Sequence, residues 1–126
     1  VLVRHGSLTA NTVTTVTLTR TSPSTVTPAN DQTRHHVNNS FKLVEVVNRS
    51  TTSIFFNFVE FSGNVALGSP GSPVVNSNDS YVVPPGGALT VPVHSQSITN
   101  AAGARTYEAR VRLVAAATAA YSVTAP

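Results

Sequence analysis

Four histidines and five carboxylates have the widest chemical reach in this chain. His35 and His36 sit side by side in the polar segment NDQTRHHVNNS. Adjacent side chains on an extended backbone point to opposite sides, and no third ligand lies at a useful spacing, so a metal site is not expected there. His5 and His94 each stand alone in the sequence. Glu45 and Glu60 fall in two successive apolar runs and are expected on adjoining strands, where they could approach one another. Asp31, Asp79 and Glu108 complete the acids. A glycosidase needs two carboxylates at a set separation in a sugar-binding cleft, usually with aromatic platforms. With no tryptophan and three tyrosines, cross-strand pairing with Lys42, Arg49 or Arg110 is the simpler use of these acids. Cysteine is missing altogether, which removes thiolate nucleophiles, thiolate metal sites and disulfides. No GxSxG elbow, P-loop or GxGxxG fingerprint occurs. Asn38, Asn48 and Asn78 each open an Asn-x-Ser triplet, a pattern that arises by chance in a chain so rich in Asn and Ser. These residues predict no enzyme, no cofactor and no metal.

The elements that position these groups are organised around residues 41–61, FKLVEVVNRSTTSIFFNFVEF, which hold all five phenylalanines. Two apolar runs, 41–47 and 54–61, flank a polar break, and this reads as two paired strands with a connection between them. In the second run Ile54, Phe56 and Phe58 share one parity, and Phe55, Asn57, Val59 and Phe61 the other. That is more apolar surface than one core face requires. One face is expected in the core, and the other against a second sheet, a loop or a subunit.

Elsewhere, residues 13–20 (VTTVTLTR) are β-branched and alternate, with Val16 and Leu18 on one side. Val1 to Val3 suit a short edge strand or an arm, and residues 24–27 a short strand between two prolines. Tyr81 to Val83 is a strand, Pro84-Pro85-Gly86-Gly87 imposes a turn, and a further strand carries Leu89, Val91 and Val93 on one face. Pro92 marks an edge position or a bulge. The alanines of residues 105–120 favour helix. Yet Tyr107, Ala109, Val111 and Leu113 alternate with Thr106, Glu108, Arg110 and Arg112, a period of two. A last short strand, with Tyr121 and Val123 inward, is expected to close a final hairpin. The fold class is therefore all-β: a single β-sandwich of about seven or eight short, mainly antiparallel strands, Ig-like or jelly-roll-like. Residues 1–12 form an N-terminal arm, and residues 13–126 one domain with long loops at 21–40 and 62–80.

Charged residues make up only 10% of the 126-residue chain, and Ser, Thr and Asn supply its polarity. The net charge is +3, but the arginines are scattered and no strand interleaves them with aromatics, so direct nucleic-acid binding is not expected. No apolar run reaches the length of a membrane-spanning helix. The first residues lack the apolar segment of a signal peptide.

In order along the chain, VTTVTLT, FKLVEVVNRSTTSIFFNF, SYVVPPGGALTVPV and VRLVAAATAAYSVTA resemble a group of small β-sandwich virion proteins of tailed bacteriophages, especially those of actinobacteria. The likeness covers residues 13–124 in outline. Two features depart from the pattern: the loops 21–40 and 62–78 look longer, and the connection before Tyr121 is alanine-rich where a Gly/Pro turn is expected. The resemblance implies a structural part of the particle at the capsid surface. Within that group it points first to a capsid decoration protein that stabilises the head, then to a head-fibre or tail subunit.

The implied partners are the major capsid protein and copies of the chain itself, and the symmetry of such a lattice admits a homotrimer. Contacts are expected at Val1, Leu2, Val3 and Arg4, at Arg34, His35 and His36, at Leu67, Val74 and Val75, and on the open face of Phe55, Val59 and Phe61. Two other classes fit the same residues. One is a carbohydrate- or cell-surface-binding module, which the Ser/Thr/Asn-rich loops suit. The other is a self-assembling coat protein, with Arg110 and Arg112 turned toward nucleic acid.

Overall fold

The computed structural model describes residues 1–23, 39–101 and 104–126. Arg34, His35 and His36, and the strand expected at 24–27, lie outside the described residues.

Among the described residues every strand pairing is antiparallel. Sheet A runs in the order β1 (Leu2–Leu8), β11 (Ala119–Ala125), β3 (Leu43–Asn48), β8 (Ala88–Pro92). Sheet B runs β2 (Thr14–Pro23), β10 (Ala104–Ala115), β4 (Ile54–Phe58), β7 (Tyr81–Val83). In sheet B, β9 (Ser97–Ala101) also pairs with the first half of β10. A two-stranded ribbon, β5 (Phe61–Ser62) with β6 (Val65–Ala66), stands apart.

With β9 and the ribbon set aside, the pairs are β1 with β11, β2 with β10, β3 with β8 and β4 with β7. The chain is thus one long antiparallel hairpin, four strands out and four back, whose pairs alternate between two sheets as it curls. That is the jelly-roll order, two Greek keys wrapped into a double sheet. It confirms the sandwich and selects jelly-roll over Ig-like wiring.

The pairing expected between the runs 41–47 and 54–61 does not occur. β3 lies in sheet A and β4 in sheet B, so residues 49–53 cross from one sheet to the other. The expected final hairpin fails in the same way, because β10 belongs to sheet B and β11 to sheet A. Both misreadings have one cause: inward alternation looks the same whether the next strand lies beside or opposite. The Glu45–Glu60 approach goes with the first. Glu45 lies opposite Thr90 and Thr124 in sheet A, whereas Glu60 Oε1 meets His94 Nε2 at 3.2 Å.

The core fills the space between the sheets. Val16 and Leu18 of β2, Val44 and Val46 of β3, Ile54, Phe56 and Phe58 of β4, and Tyr107, Ala109, Val111 and Leu113 of β10 all belong to it. Phe56 and Phe58 meet edge to face at 6.1 Å between centroids. Burying each large apolar side chain of this kind is worth about 1.5–3 kcal/mol. β10 is a strand despite its alanines, because β2 on one side and β4 and β9 on the other hydrogen-bond to it and its apolar parity meets the core.

Two crossings are fixed by local chemistry. At residues 84–87, Gly87 N donates to Pro84 O at 2.9 Å and Gly86 has a φ of 71°. This is a type II turn with Pro85 and Gly86 in the positions that favour them. At residues 48–53, the Asn48 side chain is 1% exposed. Its Nδ2 donates to Thr52 O at 2.7 Å and to Val83 O at 3.0 Å, and its Oδ1 accepts from Ser50 N at 3.0 Å and Ser50 Oγ at 2.7 Å. Asn48 therefore staples sheet A to the end of β7 in sheet B, with all its polar capacity on that side used. A group so buried and bonded is not a glycosylation acceptor.

Candidate interaction surfaces

The β4–β10 part of the outer face of sheet B is covered by its own chain, while Thr15, Thr17 and Thr19 of β2 and Val82 of β7 stay exposed. Phe55 and Asn57 of β4, with Arg112 and Val114 of β10, share this face by register. The segment 70–75 crosses over them. Arg112 Nε donates to Asn57 Oδ1 at 3.0 Å and Arg112 Nη2 to Pro70 O at 2.8 Å, while Asn57 Nδ2 donates to Gly71 O at 3.0 Å. Pro73 is buried, and Pro73, Val74 and Val75 stand with Val13 and Val114 around one hollow. Desolvation at this site lowers the Arg112 pKa, and the guanidinium remains a cation, as arginine does throughout the accessible pH range.

This cover corrects the contact surface expected at Phe55, Val59 and Phe61. Phe55 is 7% exposed and Val59 8% in the single chain. Phe61 is half-buried, with the Arg110 guanidinium 5.1 Å from its ring centroid. At Asn57, beside Phe55, the second face of residues 54–61 is thus met by a loop of the same chain, one of the covers the sequence admitted. Arg110 and Arg112 are likewise committed within the chain: Arg110 Nε bonds Glu108 Oε2, and Arg112 ties down the loop. They do not form the free basic face that the coat-protein reading assigned to them.

Residues 2–8 are not a loose arm. They form β1 at the edge of sheet A, paired with β11 along its length. Leu2, Gly6 and Leu8 lie over Ala125, Tyr121 and Ala119; Arg4 and Gly6 interrupt the apolar alternation, which hides this strand in the sequence. Val1 is 90% exposed, and Val3 and Arg4 are also open. On the covering loop, Leu67 and Val74 are exposed and Val75 half-buried. Leu67 N is held by Glu60 O at 2.8 Å. Val1 to Arg4 and Leu67 to Val75 lie on different elements and make no common site.

A second hollow, of about 320 Å³, opens where the loop meets the end of sheet B. Asn57, Phe58, Pro70, Asn78, Asp79, Ser80, Tyr81 and His94 line it. The Tyr81 ring stacks on Phe56 at 5.1 Å, and the hydroxyl of Ser80 is buried with no hydrogen-bond partner among the described residues. His94 is shared with Glu60 and Asn57 is consumed by the loop, which leaves Asn78, Asp79 and the Tyr81 hydroxyl among the polar groups of the lining. Sequence reasoning did not find this hollow, because it joins residues from β4, β7 and two loops.

Among the described residues no group of three or more His, Cys, Asp or Glu is placed to hold a metal ion. Among the described residues no helix is long and apolar enough to cross a membrane.

The outer face of sheet A is partly open, with Ser122 of β11 buried between longer neighbours and Leu43 and Val3 exposed. Leu43, Glu45 and Val47 of β3 point away from the core between buried Val44, Val46 and Asn48. Leu43 is 44% exposed and Val3 39%. Ala120, Ser122 and Thr124 of β11 are their small neighbours, and His5 Nδ1 lies 3.4 Å from Arg49 Nη1 across β11. No family model, no curated protein and no solved structure matches the chain.

Proposed function

We propose that this chain is a non-enzymatic structural subunit of a virus particle. The observation that carries the reading is the strand order: four antiparallel pairs curled into a jelly roll, an architecture that hosts viral capsid subunits as well as lectins and cupins. Two further features support it. The chain is poor in charge for its size, and the outer face of sheet A carries exposed apolar side chains, Val3 on its edge strand and Leu43 on β3. Subunits held by many modest contacts in a closed lattice need such faces, because simultaneous engagement supplies the affinity.

The strand order favours a shell-forming coat subunit. The likeness to phage virion proteins favours a decoration protein bound to the major capsid protein lattice. Expression of the chain alone separates them. Closed empty shells seen by electron microscopy support the coat role. Stoichiometric co-sedimentation with capsids lacking this protein, without self-made shells, supports decoration. If the folded chain makes no shell and binds no capsid, the proposal fails.

A further inference from the structure

The outer face of sheet A carries its charges in a self-complementary order. On β3, Glu45 and Val47 point outward, and Arg49 follows them on the same parity. The contact of Arg49 with His5, two strands away, lays the guanidinium on the outer face over β11. Glu45 has no hydrogen-bond or ion-pair partner among the described residues. Ser122 and Thr124, beside Val47 and Glu45, are short, so the longer side chains of β3 stand above their neighbours.

At the rise of an extended strand, Glu45 and Arg49 are about 13 Å apart, with Val47 midway. A face with opposite charges equally spaced about a neutral centre matches a second copy of itself. A two-fold axis lying between two copies, across the strands at the level of Val47, sets Glu45 of each against Arg49 of the other and Val47 against Val47. This is the geometry of an isologous contact. It also provides a partner for Glu45, which has none among the described residues. Sheets stacked face to face pack about 10 Å apart, within reach of these side chains.

We propose that the outer face of sheet A is a homodimer interface, registered by reciprocal Glu45–Arg49 pairs around Val47 and flanked by exposed Leu43 and Val3. The inference rests on the assembly reading and names the partner of one surface within it.

The test is sedimentation velocity of the purified chain over a micromolar concentration series. The wild type is expected to show a monomer–dimer equilibrium. Glu45→Arg or Arg49→Glu alone places like charges at both symmetric positions and is expected to weaken the dimer about tenfold or more. The combined E45R/R49E variant re-creates the pairs in reverse and is expected to return to within about threefold of wild type. Val47→Lys, at the axis where each copy meets itself, is the independent variant: it weakens the dimer whether or not the charge variants fold. A wild type that stays monomeric overturns the proposal. So do single reversals or a Val47→Lys variant that leave the dimer unchanged, and so does a well-folded double variant that does not regain it. Shell formation or capsid binding by a strictly monomeric chain overturns the dimer and leaves the assembly reading standing. A dimer that builds no shell and binds no capsid does the reverse.

Discussion

Arg112 donates a 2.8 Å hydrogen bond to the carbonyl of Pro70, joining the longest strand of sheet B to the segment that covers it. The same guanidinium holds Asn57, which in turn holds Gly71. Three hydrogen bonds thus fasten this segment over the β4–β10 part of the outer face. Replacing Arg112 with methionine keeps the bulk and removes the donors. Hydrogen bonds from charged groups contribute about 1.5–3 kcal/mol, so Arg112→Met is expected to lower stability by about 2 kcal/mol. It should also open residues 67–75 to protease. Denaturant melts and mapped limited proteolysis check both effects, and unchanged cleavage would show that the segment is held by something else.

Asn48 gives a prediction with a pH sign. Its Nδ2 faces two carbonyl oxygens, those of Thr52 and Val83. Asn48→Asp puts a carboxylate oxygen where a donor is required, in a buried site. Burial and the carbonyls both disfavour the charged form, so the folded pKa of the new carboxyl rises above its unfolded value, about 3.9. The variant is therefore relatively most stable below that unfolded value and loses stability as pH rises through the folded pKa. Denaturant melts between acid and neutral pH should show this loss against a flatter wild-type profile. Asn48→Ala should cost about 2–4 kcal/mol without a comparable new slope.

Gly6 lies opposite Tyr121 in the β1–β11 register. A methyl group there would stand 2.6 Å from Tyr121 Cζ and closer still to the hydroxyl oxygen. Gly6→Ala is expected to cost about 1–3 kcal/mol through overpacking. Combining it with Tyr121→Leu, which vacates the ring, should make the two changes less than additive in a thermal-melt cycle. Additive costs would mean that the glycine serves the backbone alone.

Tyr121 supplies the alkaline side of the stability profile. Desolvation raises its pKa above the ordinary 10.0. A folded pKa above the unfolded one contributes stability that is present below about pH 10 and is lost as pH rises through the folded value. Tyr121→Phe should flatten this decline in urea melts above pH 9, roughly where the phenol begins to titrate. An unchanged slope would assign the decline to other groups.

Much of the local structure was legible in the sequence. The alternation of Tyr107, Ala109, Val111 and Leu113 outweighed the helix preference of the alanines, and these four residues are in the core. Val16 and Leu18, and Tyr121 and Val123, face inward as their parity required. Pro85 and Gly86 make the turn their chemistry demands, and Pro92 lies on β8, the edge strand of sheet A, as a residue without a backbone donor should.

The surfaces were less legible. The doubly apolar run 54–61 raised the right question about a second cover, but no local signal showed that residues 70–75 supply it. Arg110 and Arg112 appeared as a basic face because their partners, Glu108 apart, are a phenylalanine ring, an asparagine and a backbone carbonyl brought in from other elements. The edge role of residues 2–8 was masked by Arg4 and Gly6, and the Gly6 position makes sense only beside Tyr121.

By itself, the sequence determined that this chain forms β-strands, which side chains of most strands turn inward, and where the sharpest turn falls. These are consequences of side-chain period and turn stereochemistry, which act within a few residues. Only the tertiary structure decided that β3 and β4 lie in opposite sheets, that β10 and β11 do the same, and that Phe55 and Val59 are closed off. An inward-pointing strand satisfies its alternation equally well beside its predecessor or across the core from it. The choice is made by long-range burial, by the Asn48 and Pro85–Gly86 crossings, and by the Arg112 tie, none of which leaves a periodic mark in the sequence.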